Sequence, residues 1–117
     1  MNSNKNKPLG FETCEITVNQ LKDWLEVKKT FTILDIRETW ELEKAAFKRY
    51  QHICLNELQD NLEAIDTTHP VVVVCHHGKR SLAACYYLRS CGLDNVVSLK
   101  GGIHLWAEQV DPSIGTY

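Results

Sequence analysis

The sequence predicts an α/β fold built on a mainly parallel sheet. Three observations carry that expectation. Four consecutive valines, Val71 to Val74, follow Pro70 and read as a central strand covered on both faces. Shortly after them, Leu82, Cys85, Leu88 and Cys91 recur at helical spacing and end at Gly92, where a C-terminal cap belongs. Val96-Val97-Ser98-Leu99 then reads as the next strand, followed by Gly101-Gly102 and a last helix through Trp106. Strands alternating with helices imply right-handed crossovers and parallel neighbours.

Residues 1–12 read as a flexible N-terminal lead, with Pro8 and Gly10 as breakers. The folded domain is expected over 13–117. Glu15-Ile16 suits a brief strand. Thr17-x-x-Gln20 is a capping-box pattern, and Val18, Leu21, Trp24 and Leu25 continue it as a helix. Residues 31–36 read as a strand ending at charged residues, and 38–46 as a helix carrying Trp40 and Leu42. Residues 51–55 suit another short strand. Asn56 is placed to cap a helix through Leu58, Leu62 and Ile65. Trp24, Trp40 and Trp106 sit in apolar patterns and are expected in the core.

Composition narrows the class of protein. At 117 residues, 44% hydrophobic and 24% charged, the chain matches one ordinary globular domain. A chain of this size removes roughly two-thirds of its unfolded surface from water, so it needs neither metal nor disulfide to fold. Thirteen Lys and Arg stand against fifteen Asp and Glu, a net charge of -2, which gives no field for a polyanion; no nucleic-acid partner is expected. The longest apolar run, 71–75, is far below the ~20 residues of a membrane helix, and residues 1–10 lack the apolar segment of a signal peptide. No membrane association is expected. The five cysteines are odd in number and form no C-x-x-C pair. Free thiols in a reducing cytoplasm are the expectation.

The stretch that carries chemistry is Cys75-His76-His77-Gly78-Lys79-Arg80-Ser81. A cysteine ends a buried strand and a helix starts about six residues later. In open α/β sheets ligands bind at that edge. Backbone N–H groups of such a loop can turn inward as a nest for an anion, with the helix N-terminus behind them. Gly78 supplies a backbone conformation that other residues resist. Lys79 and Arg80 add positive charge, as do His76 and His77 when protonated. Each feature favours a thiolate at Cys75, a nucleophile beside an anion pocket, over a buried structural cysteine. Arg80 stands five positions after Cys75, giving C-x4-R. Cysteine phosphatases of the C-x5-R type hold phosphate in a loop one residue longer. The tighter ring suits a single extra sulfur, a persulfide on Cys75.

Three motifs in order resemble the single-domain rhodanese (thiosulfate sulfurtransferase-like) family: Leu34-Asp35-Ile36-Arg37-Glu38 with Glu41, the Cys75 to Ser81 loop, and Leu99-Lys100-Gly101-Gly102-Ile103-x-x-Trp106. The resemblance spans 13–117. It implies a five-stranded, mostly parallel sheet with helices on both faces. It also implies transfer of sulfane sulfur from a donor such as thiosulfate to a thiol or cyanide acceptor through a Cys75 persulfide, a protein thiol being one such acceptor. His76, His77, Gly78, Lys79, Arg80 and Ser81 would bind the donor, and no cofactor is needed. The alternative within the family is a module without turnover, acting in protein docking or sulfur relay. A phosphatase or arsenate reductase on this fold is disfavoured by the C-x4-R spacing. One segment departs from the family's G-H-I-x-G-A and N-I-P pattern: 45–50 reads Ala-Ala-Phe-Lys-Arg-Tyr, and Cys54 holds the proline position. That bears on donor preference.

Asp35, at a strand end, is expected to cap the next turn as a supporting residue; the functional alternative is that it orients Arg37 or accepts hydrogen bonds from a loop. Arg37 and Glu41 are four apart and suited to pair on a helix face. His76 and His77 are adjacent, point different ways and have no third ligand at useful spacing, so no metal is expected. Lys79 is placed at the loop's exposed tip, and Arg49 on the solvated surface. Cys54, Cys85 and Cys91 are candidate resolving thiols, with core packing favoured for the last two.

Overall fold

The computed structural model describes residues 13–117; the lead expected over 1–12 lies outside the described residues. Five strands, β1 (Glu15–Ile16), β2 (Thr32–Asp35), β3 (Gln51–His52), β4 (Val71–Val74) and β5 (Val96–Leu99), form one sheet in the order β1-β5-β4-β2-β3. Every pairing is parallel, so all carboxyl ends meet at one edge. The valine run is the centre: Leu34 pairs with Val73, and Val73 with Ser98.

Alternation along β4 builds two cores. Val71 and Val73 pack with Leu58, Ala84, Cys85 and Leu88 on one face. Val72 and Val74 pack with Val18, Leu21 and Trp106 on the other. The second face is covered by α1 (Val18–Glu26) and α4 (Gly102–Gln109), the first by α3 (Lys79–Ser90) and a 3-10 segment, Leu55–Ala64. A short α2 (Thr39–Lys44) and a 3-10 turn, Pro112–Ile114, complete the chain. The capping box of α1 is formed: Thr17 Oγ1 accepts from Gln20 N at 3.1 Å, and Gln20 Oε1 from Thr17 N at 2.8 Å. No helix among the described residues is long and apolar enough to cross a membrane.

Four expectations change. The helix expected from Asn56 is a 3-10 segment capped by Cys54 and broken at Asn61, whose φ is -130°. Asn61 Nδ2 donates to Glu57 O at 2.8 Å, so the side chain takes the carbonyl that an α-helical amide needs. Trp40 is 57% exposed rather than core, because α2 turns its neighbour Glu41 inward. Cys91 is exposed at the C-cap of α3. Most consequentially, α3 begins at Lys79 rather than Leu82, with Gly78 as its N-cap at φ +94°.

Candidate active site

The early start of α3 decides the site's geometry. Cys75 follows β4 directly, so Lys79, Arg80 and Ser81 form the first helical turn, whose N–H groups have no partner within the helix. Cys75 Sγ supplies one. It accepts from Gly78 N at 3.1 Å and from Ser81 N at 3.3 Å. Two amides therefore converge on the sulfur, in place of a full ring of amides over 76–81. The thiol donates to Ser81 Oγ at 3.4 Å, and Ser81 Oγ lies 2.7 Å from Ser98 Oγ. Cys75, Ser81 and Ser98 are all buried. Ser98 reads in the sequence only as part of a strand; its signal as a site residue is that it is the one polar side chain of the buried β5.

Two of the loop's carbonyls are taken up by α4. Cys75 O accepts from Ile103 N at 3.0 Å and His76 O from His104 N at 3.1 Å, so the loop caps the first turn of α4. This contact depends on glycine. Gly102 has φ +66°, and a Cβ there would meet His76 O at 2.4 Å and Cys75 O at 2.6 Å. A Cβ on Gly78 would meet Gly101 N at 2.9 Å.

An ionic layer closes the other side. Arg37 and Glu41 do not pair through their charged groups as their spacing suggested. Arg37, wholly buried, grips Asp35 through two nitrogens, Nε at 2.9 Å from Oδ1 and Nη2 at 2.7 Å from Oδ2. It also donates to Ala45 O at 2.8 Å and to the Tyr117 hydroxyl at 2.9 Å. Glu41 reaches instead across to α3 and accepts from both Arg80 terminal nitrogens at 2.8 Å. Its Oε1 also accepts from the Tyr117 hydroxyl at 2.9 Å. The Arg80 hydrogen bonds hold the Glu41 carboxyl down at about 2, against the opposing effect of burial. The reach from the early motif to the loop, and the part of Tyr117, carried no local sequence signal.

Among the remaining loop residues, Lys79 and His77 are exposed. His76 is half-buried with its ring stacked on Tyr117 at 3.8 Å and 7°. Burial pushes the His76 imidazole down, and His77 and His104 push the same way. His104, absent from the sequence-level site, lies with its ring centroid 5.0 Å from His77 and 5.7 Å from His76. Beside the loop runs an open groove of about 570 Å³, lined in part by His77, Lys79 and Lys100. Cys54 lies off the loop, its Sγ 3.5 Å from His52 Nε2. Burial pushes the thiols of Cys54 and Cys85 up. Arg49 is exposed, and in the divergent segment Phe47 packs on Trp106 at 5.4 Å.

The family model for the rhodanese-like domain matches residues 17–109. The chain belongs to the rhodanese-like family. This rhodanese-like domain is 38% identical over 74 residues to the thiosulfate sulfurtransferase GlpE of Pseudomonas fluorescens (strain Pf-5), covering 63% of this chain and 68% of that one. It is 32% identical over 90 residues to the GlpE of Coxiella burnetii (strain RSA 331), covering 76% and 84%. Among solved structures, a rhodanese-related protein from Thermoplasma volcanium superposes with a TM-score of 0.74 at 31% identity, covering 82% of this chain and 92% of that one. The five-stranded sheet with helices on both faces is thus the rhodanese-like fold.

Proposed function

We propose that this rhodanese-like domain transfers sulfane sulfur through a persulfide on Cys75. Membership of the family and the names of its relatives support sulfur transfer or relay. The observation that carries the finer reading is the convergence of the Gly78 and Ser81 amides on Cys75 Sγ. In the first step the Cys75 thiolate attacks the outer sulfur of thiosulfate. A new S–S bond forms on Cys75, the old one breaks, and sulfite leaves with the electron pair. Amides fixed beforehand by α3 and by the contact with α4 hold the negative charge as it moves to the outer sulfur. In the second step cyanide or a thiolate attacks that outer sulfur and restores the Cys75 thiolate. Lys79 and Lys100 along the groove attract an anionic donor. The five free cysteines suit a reducing, cytoplasmic setting.

One observation favours relay over thiosulfate turnover. Arg80, the loop's closest analogue of an anion clamp, is engaged at both terminal nitrogens by Glu41. A donor without a sulfonate group, such as a persulfide on a small molecule or a protein, does not need that guanidinium. Intact mass measured before and after thiosulfate, with cyanide as acceptor, tests both readings. The parent protein gains one sulfur atom and loses it to cyanide, and Cys75→Ser gains none. Sulfur uptake, from thiosulfate or from a persulfide donor, that is undiminished in Cys75→Ser overturns the assignment. Sulfur uptake from a persulfide donor but not from thiosulfate selects relay.

A further inference from the structure

We propose that His76, His77 and His104 form a binding site for a divalent transition metal of the zinc class, at the junction of the Cys75 loop and α4. The two adjacent histidines lacked a third ligand in the sequence; the fold supplies it. His104 N donates to His76 O, which pins the first turn of α4 to the loop, and a ring nitrogen from each of the three residues lies within 4.8 Å of the others. Imidazole nitrogen is a preferred donor for Zn2+, Ni2+ and Cu2+.

Two further observations point to a ligand rather than to three neighbouring rings. His76 Nε2 and His104 Nδ1 are buried and have no hydrogen-bond partner. Buried polar atoms of that kind are uncommon and carry a desolvation cost, which a metal ion accepting their lone pairs removes. His104 is also oriented for the task. Its other nitrogen, Nε2, lies 3.3 Å from Glu108 Oε2, one helical turn on. A carboxylate accepting from Nε2–H keeps the proton there and leaves Nδ1 as the free donor, the arrangement that supports metal-bound histidines. His76 is held from behind by its stack on Tyr117. His77 is exposed and free to turn until all three nitrogens approach the ~2.0–2.1 Å of a zinc–nitrogen bond. Three protein ligands leave a fourth position for water or a small anion.

The site stands on its own geometry and is read by binding, so its failure is separable from that of sulfur transfer. The full chain is titrated with Zn2+ against a chromophoric chelator, and Co2+ is used as a spectroscopic probe. The wild type binds one Zn2+, and its Co2+ form shows no thiolate-to-metal charge-transfer band. His104→Ala loses the site, and Glu108→Gln weakens it by roughly tenfold or more. Glu108 is exposed, so Glu108→Gln reads the site even if His104→Ala fails to fold. Zn2+ affinity unchanged in a folded His104→Ala or in Glu108→Gln overturns the proposal. So does a thiolate-to-cobalt band, which would place the metal on cysteine.

Discussion

Arg37 heads the largest wholly buried side chains of the described residues, and it explains how a charge can sit there. Its guanidinium is saturated by Asp35, Ala45 O, Glu41 O and Tyr117, and Asp35 is equally buried. Such a pair adds little net stability over an apolar pair of the same shape, yet removing one partner strands the other charge. Arg37→Met is therefore expected to destabilise the domain by about 3–5 kcal/mol in urea unfolding. A loss below about 1 kcal/mol, the scale of an exposed pair, would show that Asp35 is compensated elsewhere. Both residues stand in the early motif, where Asp35 is read as orienting Arg37 or capping the next turn. The Arg37–Glu41 pair that the motif also suggested does not form, because i, i+4 spacing supposes a helix, whereas Arg37 precedes α2.

At the scale of elements, the loop and α4 hold one another. The Cys75 and His76 carbonyls cap α4, and Gly102 makes the approach possible. Gly102→Ala joins a strained φ of +66° to contacts of 2.4 and 2.6 Å with two carbonyl oxygens. Strain alone costs about 1–3 kcal/mol. The clash adds to it and displaces the loop that aims Gly78 N–H at Cys75 Sγ. The expected outcome is a lower melting temperature together with loss of sulfur uptake. Gly92→Ala is the matched control: φ is +93° but nothing lies within 4 Å of the added carbon. It should cost about 1–2 kcal/mol of backbone strain and leave sulfur uptake at the parental level. Equal loss of uptake in both variants would show that general stability, not the loop contact, governs the site.

At the scale of the whole molecule, Glu41 joins α2, α3 and Tyr117 into one unit. Its folded-state value of about 2 lies below the ordinary 4.5. The ionised form therefore favours the folded chain, fully above about 4.5, and that contribution drains away as pH falls towards about 2. Urea midpoints measured across this range should fall with pH in the parent. In Glu41→Gln they should start lower at neutral pH and fall less steeply. An acid limb as steep in Glu41→Gln as in the parent would assign it to other carboxylates.

The sequence by itself determined the alternation of elements, the valine strand at the centre and the place of Cys75 at its carboxyl end. These rest on local periodicity, on glycine and on the capping box at Thr17, all readable within a few residues. It left the N-terminus of α3 three residues late, because Lys79, Arg80 and Ser81 carry no apolar spacing. Only the tertiary structure decided which partners the charges and rings find. Glu41 meets Arg80 across 39 residues, Tyr117 reaches Glu41 across 76, and His104 joins His76 and His77. Those pairings arise where parallel strands deliver their carboxyl ends to one edge, a proximity in space that sequence spacing does not encode.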